Sequence, residues 1–306
     1  MKHACNRRSF VKSGIAAATG AGLYANASIP SATAGEEPSD AQVVWWVAAD
    51  PHVGWGVDPE HYSHGRGGAN VAEDYPGQHL RKSVADVNHL GIADYAVMLG
   101  DLVADSKDLA APFVREMDRL ETPFGWTYVL GNHDFDGKCG RRLGEPVLPV
   151  RYNARNVLGI RCIFLSTGRT GELVGHDQEK WFWSELETHR RTNTPIFMFT
   201  HHPHDHGLQI WPRLRKVIDD YRIVAWFSGH SHNWKLRDDS GHGFVQVTIH
   251  SIGGTRSHGP GRHDYLSSFL FLDRKGETVE ATVRFRNHGT QQWIEADGRK
   301  ALSFSI

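Results

Sequence analysis

The 306 residues carry 34 Lys and Arg against 35 Asp and Glu, a formal net charge of −1. That balance excludes binding of nucleic acid through bulk positive charge, and 40% apolar with 23% charged residues excludes both a disordered chain and a bundle of membrane spans. The count that stands out is 20 histidines, since this side chain both ligates metals and titrates near neutral pH.

Residues 1–34 read as an address. Asn6-Arg7-Arg8-Ser9-Phe10-Val11-Lys12 sets two arginines before an apolar residue and a lysine, and a weakly apolar, Ala- and Gly-rich run follows over 15–29. That run is too short and mild for a membrane span, which takes about 20 strongly apolar residues. Ala32-Thr33-Ala34 then supplies a small-x-small cleavage site. The pattern resembles a bacterial twin-arginine export signal, departing from it at Asn6, where Ser or Thr is usual, and at Val11, where Leu is usual. The expectation is export by a twin-arginine translocase to the periplasm or the cell exterior, cleavage after Ala34, and a mature domain over 35–306 without a transmembrane segment. The leader removes Lys2, Arg7, Arg8 and Lys12 and no acid, so the mature chain carries −5. Cys139 and Cys162 remain. In an oxidising compartment they either pair or, because Cys162 lies in an apolar run, leave a buried thiol.

Along the mature chain, short apolar runs rich in β-branched and aromatic residues occupy 43–49, 95–99, 126–130, 162–165, 196–199 and 223–227. Their unbroken apolarity predicts strands buried on both faces. Between them, 78–90, 113–120 and 178–186 carry apolar residues at helical spacing, with Leu80, Val84, Val87 and Leu90 on one stripe. Strands alternating with helices predict an α/β fold. Runs at 244–249, 268–272, 279–285 and 292–294 read as strands without intervening helices. These are expected to form a second, mainly antiparallel sheet packed on the first.

The chemistry sits at the ends of the buried strands. The first ends in Asp50-Pro51-His52, the second in Gly100-Asp101, the third in Gly131-Asn132-His133-Asp134. The run at 196–199 ends in Thr200-His201-His202-Pro203, and that at 223–227 in Ser228-Gly229-His230-Ser231-His232. Each pattern alone is common: Gly-Asp is ordinarily a turn, and paired histidines occur by chance in so His-rich a chain. Five in order, each at the carboxyl end of a buried strand, predict convergence in the crevice where α/β sheets bind ligands. Two carboxylates, an amide oxygen and four imidazoles make an O/N donor set without thiolate, suited to Zn, Mn, Fe or Co rather than Ca or Mg. Seven donors exceed one tetrahedral ion and suit two ions sharing a carboxylate, the arrangement that clamps a phosphoryl group during in-line displacement.

The series Asp50-x-His52, Gly100-Asp101-x-x-x-Asp105, Gly131-Asn132-His133-Asp134, His201-x-Pro203 and Gly229-His230-x-His232 resembles the calcineurin-like metallophosphoesterase superfamily. The resemblance implies a four-layer αββα sandwich, two mixed β-sheets flanked by helices. It implies that Asp50, His52 and His232 hold one metal, that Asn132, His201 and His230 hold the other, and that Asp101 bridges them. His202 competes with His201, and the His-x-Pro spacing favours His201. His133 would be the non-ligand catalytic histidine, oriented by Asp134, and the nucleophile a hydroxide activated by two ions of Mn, Fe or Zn. Ala104 stands where purple acid phosphatases place a tyrosine ligand, and the chain is shorter than the superfamily's two-domain nucleotidases and nucleases. The linker from Gly171 through Trp181 to His202 looks more like the compact phosphodiesterase branch, which includes class III cyclic-nucleotide phosphodiesterases. The implied function is hydrolysis of a small phosphodiester, with a phosphomonoesterase of the same superfamily or a non-catalytic periplasmic metal-binding protein as alternatives, and no nucleic-acid partner. Residues 55–68 are expected at the crevice rim, Arg256 and Arg262 in a cationic loop, and His204, Asp205 and His206 either at the pocket or in an exposed loop.

Overall fold

From Val44 to Ala49 the first apolar run is buried because its strand separates two cores. In β1 (Gln42–Ala48), Trp45 and Val47 face one hydrophobic cluster, and Val44, Trp46 and Ala48 face another. A strand with only one covered face would alternate apolar with polar residues. The computed structural model describes residues 41–54, 75–136, 144–190, 192–205, 207–239, 242–253, 265–287, 292–295 and 302–306. The signal segment, Cys139, residues 55–68, His206, Arg256 and Arg262 lie outside them.

The chain continues through α1 (Tyr75–Leu90), β2 (Tyr95–Leu99), α2 (Ala110–Met117) and β3 (Trp126–Val129). Next come β4 (Asn153–Val157), β5 (Ile160–Leu165), α3 (Gln178–Arg190), β6 (Ile196–Thr200), α4 (Trp211–Leu214) and β7 (Ile223–Ser228). It closes with β8 (Lys235–Asp239), β9 (Phe244–Thr248), β10 (Tyr265–Lys275), β11 (Thr278–Asn287), β12 (Trp293–Glu295) and β13 (Leu302–Ser305). One sheet runs in the order β12-β11-β10-β1-β2-β3, with β13 on β11; the other runs β4-β5-β6-β7-β9-β8. Both are mixed: β1, β2 and β3 are mutually parallel and β10 adds antiparallel to β1, while β5, β6, β7 and β9 are parallel between antiparallel edges.

The inner faces of the two sheets meet in one core containing Trp45, Val97, Phe164, Phe199, Phe227 and Leu270. Leu80, Val84 and Val87 of α1, with Phe113 and Met117 of α2, cover the outer face of the first sheet. Phe182 and Leu186 of α3 cover the outer face of the second. The result is helix, sheet, sheet, helix, the four-layer architecture expected. Among the described residues, no helix is long and apolar enough to cross a membrane. Cys162 is a fully buried free thiol whose pKa burial pushes up.

The expected separate antiparallel tail sheet is not what forms. Strands β10 to β13 extend the sheet of β1, with Leu270 opposite Trp45 and Phe269 opposite Trp46. The tail therefore continues both cores, Leu270 and Leu272 inward and Phe269 outward. Residues 244–248 instead join β7 in parallel. The strands without a sequence signal are β4, β8 and β13, which lie at edges, where one flank meets solvent and little apolar pattern is required.

Trp45 packs its ring 5.8 Å from Tyr95, 6.1 Å from Phe164 and 5.6 Å from Phe199, centroid to centroid, so it bridges the sheets. Trp45→Ala is expected to cost about 3–5 kcal/mol in urea unfolding, from lost burial plus a cavity between two rigid sheets. A loss below about 1 kcal/mol would mean the sheets collapse over the gap.

Candidate metal centre

Of the eight non-glycine residues with positive φ among those described, six belong to the five strand-end motifs: Asp50 (54°), His52 (44°), Asp101 (49°), Asp105 (50°), His230 (68°) and His232 (53°). Left-handed backbone is costly for side chains other than Gly, Asn and Asp, and it persists only where surroundings enforce it. Here the loops are cross-tied. Asp50 N–H donates to Gly100 O (3.1 Å), His52 N–H to Asp101 O (2.9 Å), Gly229 N–H to His201 O (3.0 Å) and Asp105 N–H to His133 O (3.0 Å). Two glycines make room at the centre. A Cβ on Gly100 (φ +77°) would stand 2.7 Å from the His201 ring, and one on Gly131 would stand 2.6 Å from that ring and from Asp101 N.

The side chains converge as two groups that share Asp101. In the first, His52 Nε2 lies 3.2 Å from His232 Nε2 and 3.6 Å from Asp101 Oδ2, and His232 Nε2 lies 3.2 Å from Asp50 Oδ1. In the second, His201 Nε2 lies 3.0 Å from Asn132 Oδ1, 3.2 Å from Asp101 Oδ2 and 3.2 Å from His230 Nδ1. His230 Nδ1 is in turn 2.9 Å from Asn132 Oδ1. The donor set tests whether a cation fits. His201 Nδ1–H donates to the Leu99 carbonyl at 2.8 Å, so on the neutral ring Nε2 is a lone pair. That lone pair, a carboxylate oxygen and an amide oxygen are all acceptors aimed at one another. Acceptors crowded within about 3 Å in a buried site require positive charge between them. The residues fit two cations: Asp50, His52, Asp101 and His232 group around one point, and His201, His202 and His230 around another.

The electrostatics carry the same demand. Burial works against protonating His201, yet the Asp101 charge and hydrogen bond, Asp50 and the Leu99 carbonyl raise it to about 9. Burial also opposes ionisation of Asp101, but the imidazoles of His201 and His133 hold its carboxyl well below the usual range. Burial, then His201, lowers His230 to about 4, and burial holds His52 well below the ordinary imidazole value. A ligating imidazole must shed its proton, and a raised pKa leaves His201 protonated below about 9. Affinity for Mn(II) or Zn(II) is therefore expected to rise with pH toward that value, with protons released on binding at pH 7. Calorimetry in buffers of different ionisation enthalpy reads this directly, and zero proton release at pH 7 would contradict it.

The third motif divides differently from expectation. His133 N–H donates to Asp101 Oδ1 at 2.8 Å, and its ring sits 5.0 Å from that of His52. The carboxylate on His133 Nδ1 is Asp105 Oδ2, at 3.1 Å. Asp134, expected to orient that ring, points elsewhere: it accepts Leu102 N–H (2.7 Å), Val103 N–H (3.1 Å) and Gly131 N–H (2.8 Å) and is fully buried. It fastens the Asp101 loop to the Asn132 loop. The Gly-Asp-x-x-x-Asp motif was the available signal for Asp105, and only the fold of the loop shows which aspartate reaches the ring. Burial opposes protonation of His133, but Asp101 and then Asp105 raise its pKa.

His202 is the third imidazole of the second group, with its Nδ1 2.8 Å from Thr167 Oγ1. His204 is neither pocket wall nor exposed loop: it is buried with its ring 4.4 Å from Trp211 and 4.9 Å from Phe244. Asp205 pairs with Arg237.

A sequence model of the family described as calcineurin-like phosphoesterase matches residues 45–234, which span all five motifs. None of the curated proteins matches the chain. Among solved structures, a dimetal phosphatase from Danio rerio superposes with a TM-score of 0.55 at 13% identity, covering 86% of this chain and 98% of that one. A purple acid phosphatase from yellow lupin (Lupinus luteus) seeds superposes with a TM-score of 0.57 at 13% identity over 88% of this chain. This chain spans 55% of the lupin protein's length. At these identities the likeness is one of fold.

Proposed function

The chain belongs to the calcineurin-like phosphoesterase family, and from that premise we propose that it is an exported, dinuclear metal-dependent phosphodiesterase. The observation that carries the reading is the convergence of side chains from five strand ends into two adjoining groups, with His52 of one and His201 of the other both facing Asp101 Oδ2. Asp50, His52 and His232 would hold one ion, Asn132, His201 and His230 the other, and Asp101 would bridge. The mixed O/N set suits Mn, Fe or Zn. When bound, two such cations supply the Lewis acidity that makes water nucleophilic at neutral pH and draws charge from phosphoryl oxygens.

The chain's own groups would do the rest. His133, partly exposed beside the centre and paired with Asp105, keeps its proton above the ordinary imidazole value. It would donate to a phosphoryl oxygen or protonate the departing alkoxide. The strained, cross-tied loops hold the donors in place before substrate arrives, which lowers the reorganisation required during reaction. Residues 6–12 and 32–34 support export by the twin-arginine route to the periplasm or cell exterior. A mature N-terminus after Ala34 in the exported fraction is the expected result, and an intact Met1 there would overturn it.

The test of the reaction uses protein reconstituted with Mn(II) or Fe. Faster cleavage of bis-p-nitrophenyl phosphate than of p-nitrophenyl phosphate is expected. Turnover of the monoester alone would make it a phosphomonoesterase, and two bound ions with no turnover of either would make it a metal-binding protein.

A further inference from the structure

His202 groups with His201 and His230, but its Nδ1 is taken by Thr167, and both residues are buried at the centre, with 2% and 0% of their surfaces exposed. The His202 ring lies 4.4 Å from that of His230, tilted by 36°, and edge-on to His201 at 4.9 Å. It therefore touches both other imidazoles of the second group. Its Nδ1 is held at 2.8 Å from Thr167 Oγ1. Thr167 is tied in turn to the other sheet: its N–H donates to the Leu130 carbonyl at 2.9 Å, and its hydroxyl reaches the same oxygen at 3.4 Å. Leu130 N–H donates to Ser166 Oγ at 3.0 Å, and Leu130 directly precedes Gly131 and Asn132. One line of contacts thus runs from the strand end that presents Asn132, through Thr167 and His202, to the ring of His230.

We propose that the Thr167–His202 pair is a positioning device for the second metal position, setting the ring plane of His230 and its distance from Asn132. The proposal rests on the dinuclear reading above. Its distinguishing feature is asymmetry: the line of contacts reaches Asn132, His201 and His230, whereas Asp50, His52, Asp101 and His232 group around the other point. Outer groups that orient ligands typically change metal affinity by about 10–100-fold when removed.

The experiment titrates metal-stripped wild-type protein, Thr167→Val, Thr167→Ser and His202→Phe with Mn(II), reading stoichiometry by calorimetry and exchange coupling by electron paramagnetic resonance. Valine keeps the shape of Thr167 and removes the hydroxyl, serine restores it, and Phe keeps a ring against His230. The expected result is two coupled ions in wild type and in Thr167→Ser. In Thr167→Val and His202→Phe the second ion should bind about 10–100-fold more weakly, with loss of coupling, while the first keeps its affinity. Wild-type affinity at both positions in Thr167→Val and His202→Phe overturns the proposal, and so does equal weakening of both, which marks a general structural role. Failure of unmutated protein to bind a second ion overturns the dinuclear reading and this proposal with it, and shows before any variant is considered.

Discussion

Asp101→Asn is expected to remove both cations and to lower kcat/KM by roughly 10³-fold or more, since it deletes the anion common to two metal positions. The substitution is nearly isosteric. It also keeps the backbone, because Asn tolerates the left-handed conformation (φ 49°) that Asp101 adopts. The change is one of charge and one acceptor. An amide NH2 must either face His133 N–H in place of Oδ1, donor against donor, or face the His52 and His201 nitrogens in place of Oδ2. The first arrangement loosens the His133 loop, and the second puts a donor where a cation would sit. Metal content of the purified variant and its turnover, measured together, check this. Full activity, or two retained ions, would refute the bridging role.

His133→Ala is expected to behave in the opposite way, retaining both ions while kcat falls about 10²–10⁴-fold. Alanine preserves the His133 backbone contacts to Asp101 and Asp105, so the metal positions keep their framework. Asp105→Asn separates orientation from proton supply. The Asp105 carboxylate raises the pKa of His133, and a raised imidazole pKa extends the protonated form to higher pH. Removing the carboxylate should therefore move the His133 titration, followed by nuclear magnetic resonance, to lower pH. The alkaline limb of the rate profile should move in the same direction. A His133 titration that stays in place would assign Asp105 a purely structural role, and loss of metal in His133→Ala would turn His133 into a ligand.

Much of this was legible in the residues because strand ends in α/β sheets face one crevice. A buried run such as 95–99 announces a strand by its unbroken apolarity, and the residues directly after it, Gly100 and Asp101, are thereby placed. Side-chain direction and sheet membership were not legible in the same way. Asp134 is the residue next to His133 and Asp105 lies 28 positions before it, yet it is the distant carboxylate that reaches the ring, which nothing in composition says. The tail strands read as antiparallel, but pairing with β1 or with each other depends on which edge is open, a property of the assembled sheet.

The amino-acid sequence by itself determined the strand ends, their donor residues and the acceptor-rich chemistry those donors share, because apolar period and residue type are local. Only the tertiary structure decided which sheet each strand joins, which aspartate orients His133, and that Thr167 holds His202 against His230. Those relations connect residues more than 25 positions apart, and they exist only once two sheets have packed face to face and brought their loops to a common edge.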